Sequence, residues 1–341
     1  MQGIREIREI RKASVIAPTN IALIKYWGKM PERENDHFPT KSSLSITIAG
    51  LYTKTNMKAK KGSGKIYFTI NGKKAVDENV RAFFEKLYSI FPMLKNYDYK
   101  IDTKSNFPIA AGFASSASGF AALAHCLAIC FKELNLNEKQ ITAIARLGSG
   151  SASRSATFKG GFVLWNKADK NAGVFDSYAK TLFKREHWKD LRLIYIALSK
   201  KEKKIKSRAG MKQSINTCPF YWQWVEYEEN ILMPKLIKAI KNRDFDLFSS
   251  IVNEASNNFH AICLATKPAI HYLNDKSFSI MDIINDVNEK HGKAKACYTF
   301  DAGPNPIIIT KKEYLNEIFD LISKKASIMK VAKIGGGVKY S

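Results

Sequence analysis

The sequence predicts an α+β chain in two halves, each laid down as strands first and helices afterwards. Three observations carry that prediction. The chain has 341 residues, too many for one small core and natural for two packed domains. Hydrophobic residues make up 45%, which supports a large core and excludes global disorder. Strand-like stretches give way to helix-like stretches twice along the chain, with no internal repeat and no low-complexity linker.

The elements follow in order. Met1 to Lys12 is charged every few residues and lacks the apolar core of a signal peptide. Its isoleucines, Ile4, Ile7 and Ile10, permit a short helix or an irregular extension. Ala13–Ala17, Ser43–Ile48 and Lys65–Ile70 read as strands, and Asn71-Gly72 is a hairpin turn signal. Val80–Phe91 reads as a helix, and Tyr99–Thr103 as a strand leading into a loop of small residues. After that loop, Phe120, Ala121, Leu123, Ala124, Leu127, Ala128, Phe131 and Leu134 share one helical face. A helix over Glu138–Leu147 and a strand over Gly160–Trp165 close the first half. The second half opens with a strand at Leu191–Leu198. Helices dominate residues 219–259 and 278–290. Strands at Ala296–Phe300 and Pro306–Thr310 flank a tight turn. A helix over Lys312–Lys325 and the Gly335-Gly-Gly337 loop finish the chain. We therefore expect a domain over 1–190 and another over 191–341, with ligands in the cleft between them.

Composition narrows the function. No run of about 18 apolar residues exists, so no membrane helix is expected, and the cytoplasm is the default compartment. The net charge of +24 points to anionic partners. The basic residues are spread along the chain, however. The densest runs, Lys58–Lys61 and Lys200–Lys206, read as solvated loops or edges rather than a nucleic-acid patch. The five cysteines form no zinc pattern; Cys126 and Cys130 suit core packing. His37, His125, His187, His260, His271 and His291 show no metal spacing either, and packing is the better reading of His260.

Four segments carry chemistry. Asn106-Phe-Pro-Ile-Ala-Ala-Gly-Phe-Ala-Ser-Ser-Ala-Ser-Gly119 runs straight into a helix, so Ser115, Ser116 and Ser118 lie at or near its N-terminus. There, free backbone N–H groups and the helix dipole favour a phosphate. It is neither a Walker A loop nor Gly-x-Gly-x-x-Gly, and a Ser-capped core helix is the alternative. Ala17-Pro-Thr-Asn-Ile-Ala-Leu-Ile-Lys-Tyr-Trp-Gly-Lys29 sets Lys25 and Lys29 beside Tyr26, as a polyphosphate clamp or as snorkelling lysines. Gly148-Ser-Gly-Ser-Ala-Ser-Arg-Ser155 offers Arg154 to a carboxylate or phosphate, or is a plain connector. In Thr299-Phe-Asp-Ala-Gly-Pro-Asn305, Asp301 follows a buried-looking strand. A partner such as Lys25 or a substrate hydroxyl would offset its burial; capping the turn is the other reading.

Together, and in this order, these segments resemble the mevalonate diphosphate decarboxylase family of the GHMP kinase superfamily. Ala110-Ala-Gly-Phe-Ala114 is similar to the decarboxylase form of the phosphate loop. Ser207-Arg-Ala-Gly-Met211 and Asn257–Leu264 add to the likeness. The resemblance implies a two-domain fold, with an N-terminal domain of the ribosomal-protein type and a ferredoxin-like C-terminal domain. It implies a reaction in which ATP and Mg²⁺ phosphorylate the tertiary hydroxyl of mevalonate diphosphate, and loss of phosphate and CO₂ yields isopentenyl diphosphate. The protein must then position two anions and shield their repulsion. Carried over by resemblance, Asp301 deprotonates the hydroxyl, Lys25 approaches both this Asp and the phosphates, and Arg154 holds the substrate carboxylate. Tyr26, Lys29, Ser149 and Ser151 contact the diphosphate region. Arg81 matches a diphosphate-binding arginine with its spacing shifted by one residue, and Asn20 is a further candidate. Asn106, Pro108, Ala111, Gly112, Ala114, Ser115 and Ser116 match the ATP loop, with Ser116 reaching Mg²⁺ through ATP.

In one departure, Lys41 stands where the family more often has Asn; it could touch phosphate or point to solvent, and solvent is the favoured reading. Alternatives are a relative acting on mevalonate 5-phosphate, one that only phosphorylates the 3-hydroxyl, and a non-catalytic nucleic-acid binder. Asp301 argues against the 3-kinase and the four intact motifs against the binder; neither nucleic acid nor membrane is an expected partner. A homodimer is expected from the resemblance.

Overall fold

The structure is a computed structural model that describes residues 10–75, 78–107, 115–199 and 204–341, without the side chain of Ser115. The Met1–Lys12 extension and the Lys200–Lys206 run therefore lie largely outside the described residues.

The first sheet is built from β1 (Arg11–Ile24), β2 (Ser43–Lys61), β3 (Ile66–Ile70), β4 (Lys73–Lys74), β5 (Tyr97–Ser105), β6 (Phe162–Trp165) and β7 (Ala179–Phe183). On its inner face lie α1 (Glu78–Ile90), α2 (Ser115–Cys130) and α3 (Glu138–Gly148), and the short α4 (Ala152–Ser155) follows α3. The order is β1-β2-β5-β3-β4, with β6 pairing the first residues of β2 and β7 pairing β6. Strands pair antiparallel except β3 with β5. Alternation decides which side chains face the helices. Met57 and Ala59 point into the core, whereas Lys58 and Lys60 point out. The Lys58–Lys61 run is thus the open face of a strand paired with both β1 and β5, rather than a loop or an edge. Asn71 and Gly72 both have positive φ, as the β3–β4 hairpin requires.

The second sheet contains β8 (Leu191–Ala197), β9 (Ala296–Phe300), β10 (Pro306–Lys311) and β11 (Ser327–Ala332), in the order β11-β8-β10-β9 and antiparallel throughout. This is ferredoxin-like topology. Between β8 and β9 run α5 (Ser207–Thr217), α6 (Tyr221–Tyr227), a π turn (Glu228–Leu232), α7 (Met233–Asn242), α8 (Phe245–Ala265) and α9 (Asp275–His291). A helix, α10 (Leu315–Ser323), joins β10 to β11, and β12 (Lys339–Tyr340) returns to pair with β1. The expected strands and helices appear with longer β1 and β2; α5 and the edge strands β7 and β11 carry too little apolar periodicity to be read from sequence.

One core joins the two sheets. Ile21, Leu23 and Ile24 of β1 and Leu44 and Ile46 of β2 pack with Leu191, Leu193, Leu236, Phe248, Cys297 and Ile309. Strand β1 is therefore buried without interruption from Ala17 to Ile24. Burying apolar surface stabilises by roughly 25 cal/mol per Å², so the end of β1 and the end of β9 are held together by packing.

Candidate active site

The site lies where β1 ends against the turn after β9. Lys25 is 3% exposed, and its Nζ donates to Asp301 Oδ1 at 2.9 Å and to the Ala22 carbonyl at 2.9 Å. The same carbonyl accepts from Thr299 Oγ1 at 3.2 Å, which ties β9 to β1. The Asp301 side chain is 44% exposed, so its free oxygen faces the open side of the turn. Burial pulls Lys25 below the ordinary lysine range, while the Asp301 carboxylate opposes that shift.

Arg154 sits beside this pair on α4 and is buried. Its Nη1 donates to Ser43 Oγ at 2.5 Å and its Nε to Asn20 Oδ1 at 3.3 Å. Asn20 in turn donates to Ser155 Oγ and to the Ser151 carbonyl. Burial pulls the guanidinium down to about 10, against the opposing field of Asp301. No carboxylate is paired with Arg154 among the described residues, so an anion arriving here completes it. Tyr26 stacks tilted on Trp165 at 4.7 Å, and its buried hydroxyl has no hydrogen-bond partner among the described residues. Gly150 is obligatory beneath it, since a Cβ there would lie 2.7 Å from the tyrosine ring.

A cluster of cations fills the other side of Tyr26. Lys86 on α1 donates to the Leu147 carbonyl at 3.2 Å, and Arg208 on α5 donates to Gly148 O at 3.1 Å. Lys29 is close enough for Arg208 and Lys212 to depress it, and burial is the larger cause; it falls to about 8. Lys86 also falls to about 8, through burial and then Lys29 and Arg208. His37 donates from Nδ1 to the Arg146 carbonyl at 2.9 Å, leaving Nε2 as an acceptor toward Lys86. Burial, then Lys29 and Lys86, push it down to about 2, so it is neutral. Cations held close together with few carboxylates among them form an anion site. Ser116, Ser149 and Ser151 continue from there as a row of hydroxyls 3.4 Å apart.

The remaining candidates divide. Ser115 and Ser116 open the sixteen-residue α2, where an anion is favoured. Pro108, Ala111, Gly112 and Ala114 lie outside the described residues. Asn106 uses its amide on Gly50 O and Tyr52 N, which ties the end of β5 to the middle of β2. Arg81 is exposed on α1, two residues beyond Asn79, which accepts from Arg208. Lys41 corrects the expectation of a solvent-facing lysine. It is buried and paired with the buried Glu228 at 2.6 Å, because the π turn places an acid against its loop. Sequence reasoning did not single out Lys86, Arg208, His37 or Glu228 as site residues. Arg208 stood in a segment of noted likeness, but isolated cations on different helices leave no spacing to read.

Two family models match the chain. One is the diphosphomevalonate decarboxylase-like N-terminal domain, over residues 17–179. The other is the mevalonate 5-diphosphate decarboxylase C-terminal domain, over residues 193–334. The chain is similar to the diphosphomevalonate decarboxylase of Ganoderma lucidum, 38% identical over 92% of this chain and 82% of that one. It is 36% identical to the Homo sapiens diphosphomevalonate decarboxylase over 88% of this chain and 77% of that one. Its fold is similar to the crystal structure of mevalonate diphosphate decarboxylase from Staphylococcus aureus, with TM-score 0.88, 30% identity and 98% of each chain covered. A solved structure of MDDEF in complex with MVAPP, AMPPCP and magnesium superposes with TM-score 0.87 at 30% identity, covering 98% of this chain and 99% of the other.

Proposed function

This chain belongs to the mevalonate diphosphate decarboxylase family, and from that premise we propose that it catalyses ATP-dependent decarboxylation of mevalonate 5-diphosphate to isopentenyl diphosphate. The observation that carries the reading is the Lys25–Asp301 pair, 2.9 Å apart, with the Arg154 guanidinium close enough to act on both.

The residues take their roles from that layout. Lys29, Lys86 and Arg208, with Tyr26, Ser149 and Ser151, hold the substrate's diphosphate; Arg81 assists from α1. Arg154 forms a bidentate bond to the substrate carboxylate. The tertiary hydroxyl then lies at the free oxygen of Asp301, which takes its proton as the hydroxyl oxygen attacks the terminal phosphorus of ATP. Lys25 offsets the charge that builds between Asp301 and the transferring phosphoryl group. ADP leaves. The C–O bond to the new phosphate breaks with its electron pair going to phosphate, and positive charge grows at the tertiary carbon. The bond to the carboxylate supplies the electrons of the new double bond, and CO₂ departs. The transferred phosphate is needed because hydroxide is a poor leaving group.

The N-terminus of α2 and the loop before it, including Asn106 and residues 108–114, cradle the ATP phosphates. No cluster of three metal-ligating side chains exists among the described residues. Mg²⁺ would arrive with the ATP phosphates, Ser116 would be the residue that helps hold it, and it would neutralise phosphate charge there. In this reading residues 1–190 hold the nucleotide and residues 191–341 deliver Asp301. The protein acts as a cytoplasmic homodimer, which mass in solution and cell fractionation check. Several cations opposed by few acids suit two phosphates better than one.

The test is a side-by-side assay with Mg-ATP and either mevalonate diphosphate or mevalonate 5-phosphate, counting ADP and CO₂. Equal ADP and CO₂ with the diphosphate alone supports the proposal. Turnover of the monophosphate alone reassigns the substrate, ADP without CO₂ leaves only a kinase, and no product from either overturns the reading.

A further inference from the structure

Lys41 and Glu228 form a buried ion pair whose partners are 1% and 0% exposed. Such a pair costs desolvation and is weak evidence for stability on its own. Its surroundings give it another task. Lys41 Nζ donates to the main-chain carbonyl of Lys25 and lies 4.5 Å over the Trp224 ring. Glu228 Oε1 accepts from Trp224 Nε1 at 2.8 Å. The next residue, Glu229, accepts from both the backbone N–H and the hydroxyl of Ser42. Two consecutive acids of a π turn thus grip the same loop, and π turns recur at functional sites. One residue back, Thr40 bonds Tyr221, whose hydroxyl donates to the Trp27 carbonyl at 2.7 Å. The carbonyls on either side of Tyr26 are therefore both held from this loop and from α6.

We propose that the Lys41–Glu228 pair is the positioning element for Lys25: Lys41 fixes the main chain of that residue, and Glu228 holds Lys41 in place against it while Glu229 grips the same loop. The inference rests on the functional reading above, in which Lys25 acts as a cation. The charged and titratable groups facing Lys25 are Asp301 after β9, Arg154 on α4, Glu228 in the π turn and His260 on α8; Lys41 lies on the loop before β2, and Tyr195 of β8 faces Asp301. Among them Arg154 disfavours the charge on Lys25, while Asp301 and Glu228 favour it. Asp301 is the larger of the two favouring groups, and burial raises Glu228 itself above the ordinary carboxylate range while Lys41 opposes that shift; losing Glu228 moves Lys25 further in the direction that burial already pulls it.

The experiment uses Glu228→Gln, which keeps the shape and the Trp224 bond, and the double variant Lys41→Met/Glu228→Gln, which leaves no unpaired buried charge. With a melting temperature near wild type, kcat falls about tenfold, with KM for either substrate changed less than about threefold. The high-pH limb of kcat moves to lower pH by about half a unit. Lysine ¹³Cε resonances, with Lys25 assigned by Lys25→Met, report the same downward movement without any turnover. A folded variant whose kcat, high-pH limb and Lys25 titration all match wild type overturns the proposal. If the wild-type protein makes no product yet the Lys25 titration moves, the coupling stands and the functional reading has failed instead.

Discussion

Replacing Asp301 by Asn separates the chemistry of this site from its architecture. Asn is isosteric, and its amide oxygen still accepts from Lys25 Nζ at the 2.9 Å position. Two things are lost: the group that takes a proton, and the negative charge that opposes the effect of burial on Lys25. Positioned general bases contribute about 10²–10⁴ in rate. We expect kcat for ADP release to drop by about 10³, or about 4 kcal/mol in the barrier. The fold loses little. The Asp301 carboxylate is 44% exposed, so the pair is screened by solvent and contributes about 1 kcal/mol or less. Lys25 also relieves its own cost by releasing a proton. The assay counts ADP and CO₂ under saturating substrates, with calorimetric binding of an ATP analogue and a melting curve on the same sample. Activity within a few-fold of wild type, in a folded variant that binds nucleotide, would refute the base assignment.

Arg154→Met should lower kcat for CO₂ release by about 10² or more while nucleotide affinity changes less than about threefold, because the guanidinium is buried with no carboxylate paired to it among the described residues. Arg208→Gln should raise KM for the phosphorylated substrate by about 10–100-fold, the size of one lost charge-assisted hydrogen bond, with a smaller effect on kcat; an unchanged KM removes Arg208 from the diphosphate site. Gly28→Ala should destabilise by about 3 kcal/mol, since Gly28 has φ +124° and a Cβ would stand 1.7 Å from the Tyr221 hydroxyl; urea unfolding measures it. Acid should unfold the protein steeply. His37, His260 and His125 are depressed chiefly by burial, to about 2, 3 and 4. Each has a folded value below the unfolded 6.5, so the unfolded chain binds more protons, and stability is full above pH 6.5 and falls below it. Between pH 6 and 4 the three together cost about 4 kcal/mol per pH unit. A free energy of unfolding that is flat from pH 7 to 5 contradicts that balance.

Legibility differed by scale. Helix α3 and strands such as β8 and β9 declare themselves because one face, or nearly the whole strand, is apolar, and α2 because small and apolar residues run almost all round it. Lys58 and Lys60 misled because a solvated face looks the same in sequence on a paired strand as on an edge. Lys41 misled because burial of a lysine depends on an acid, Glu228, that is 187 residues away and carries no local mark.

The sequence by itself determined the residue types and their local settings: small residues before a helix, an arginine in a Ser/Gly loop, an aspartate in a turn after an apolar strand, and lysines around Tyr26. Each of these depends on neighbours a few positions away. Which groups meet was decided only by the tertiary structure. The shared core of the two sheets brings Asp301 to Lys25 across 276 positions, and the packing of α1 and α5 around residues 147–148 gathers Lys86 and Arg208 into one anion site. Charge interactions act through space and fade over about 10 Å, so their partners become visible only when the chain has folded.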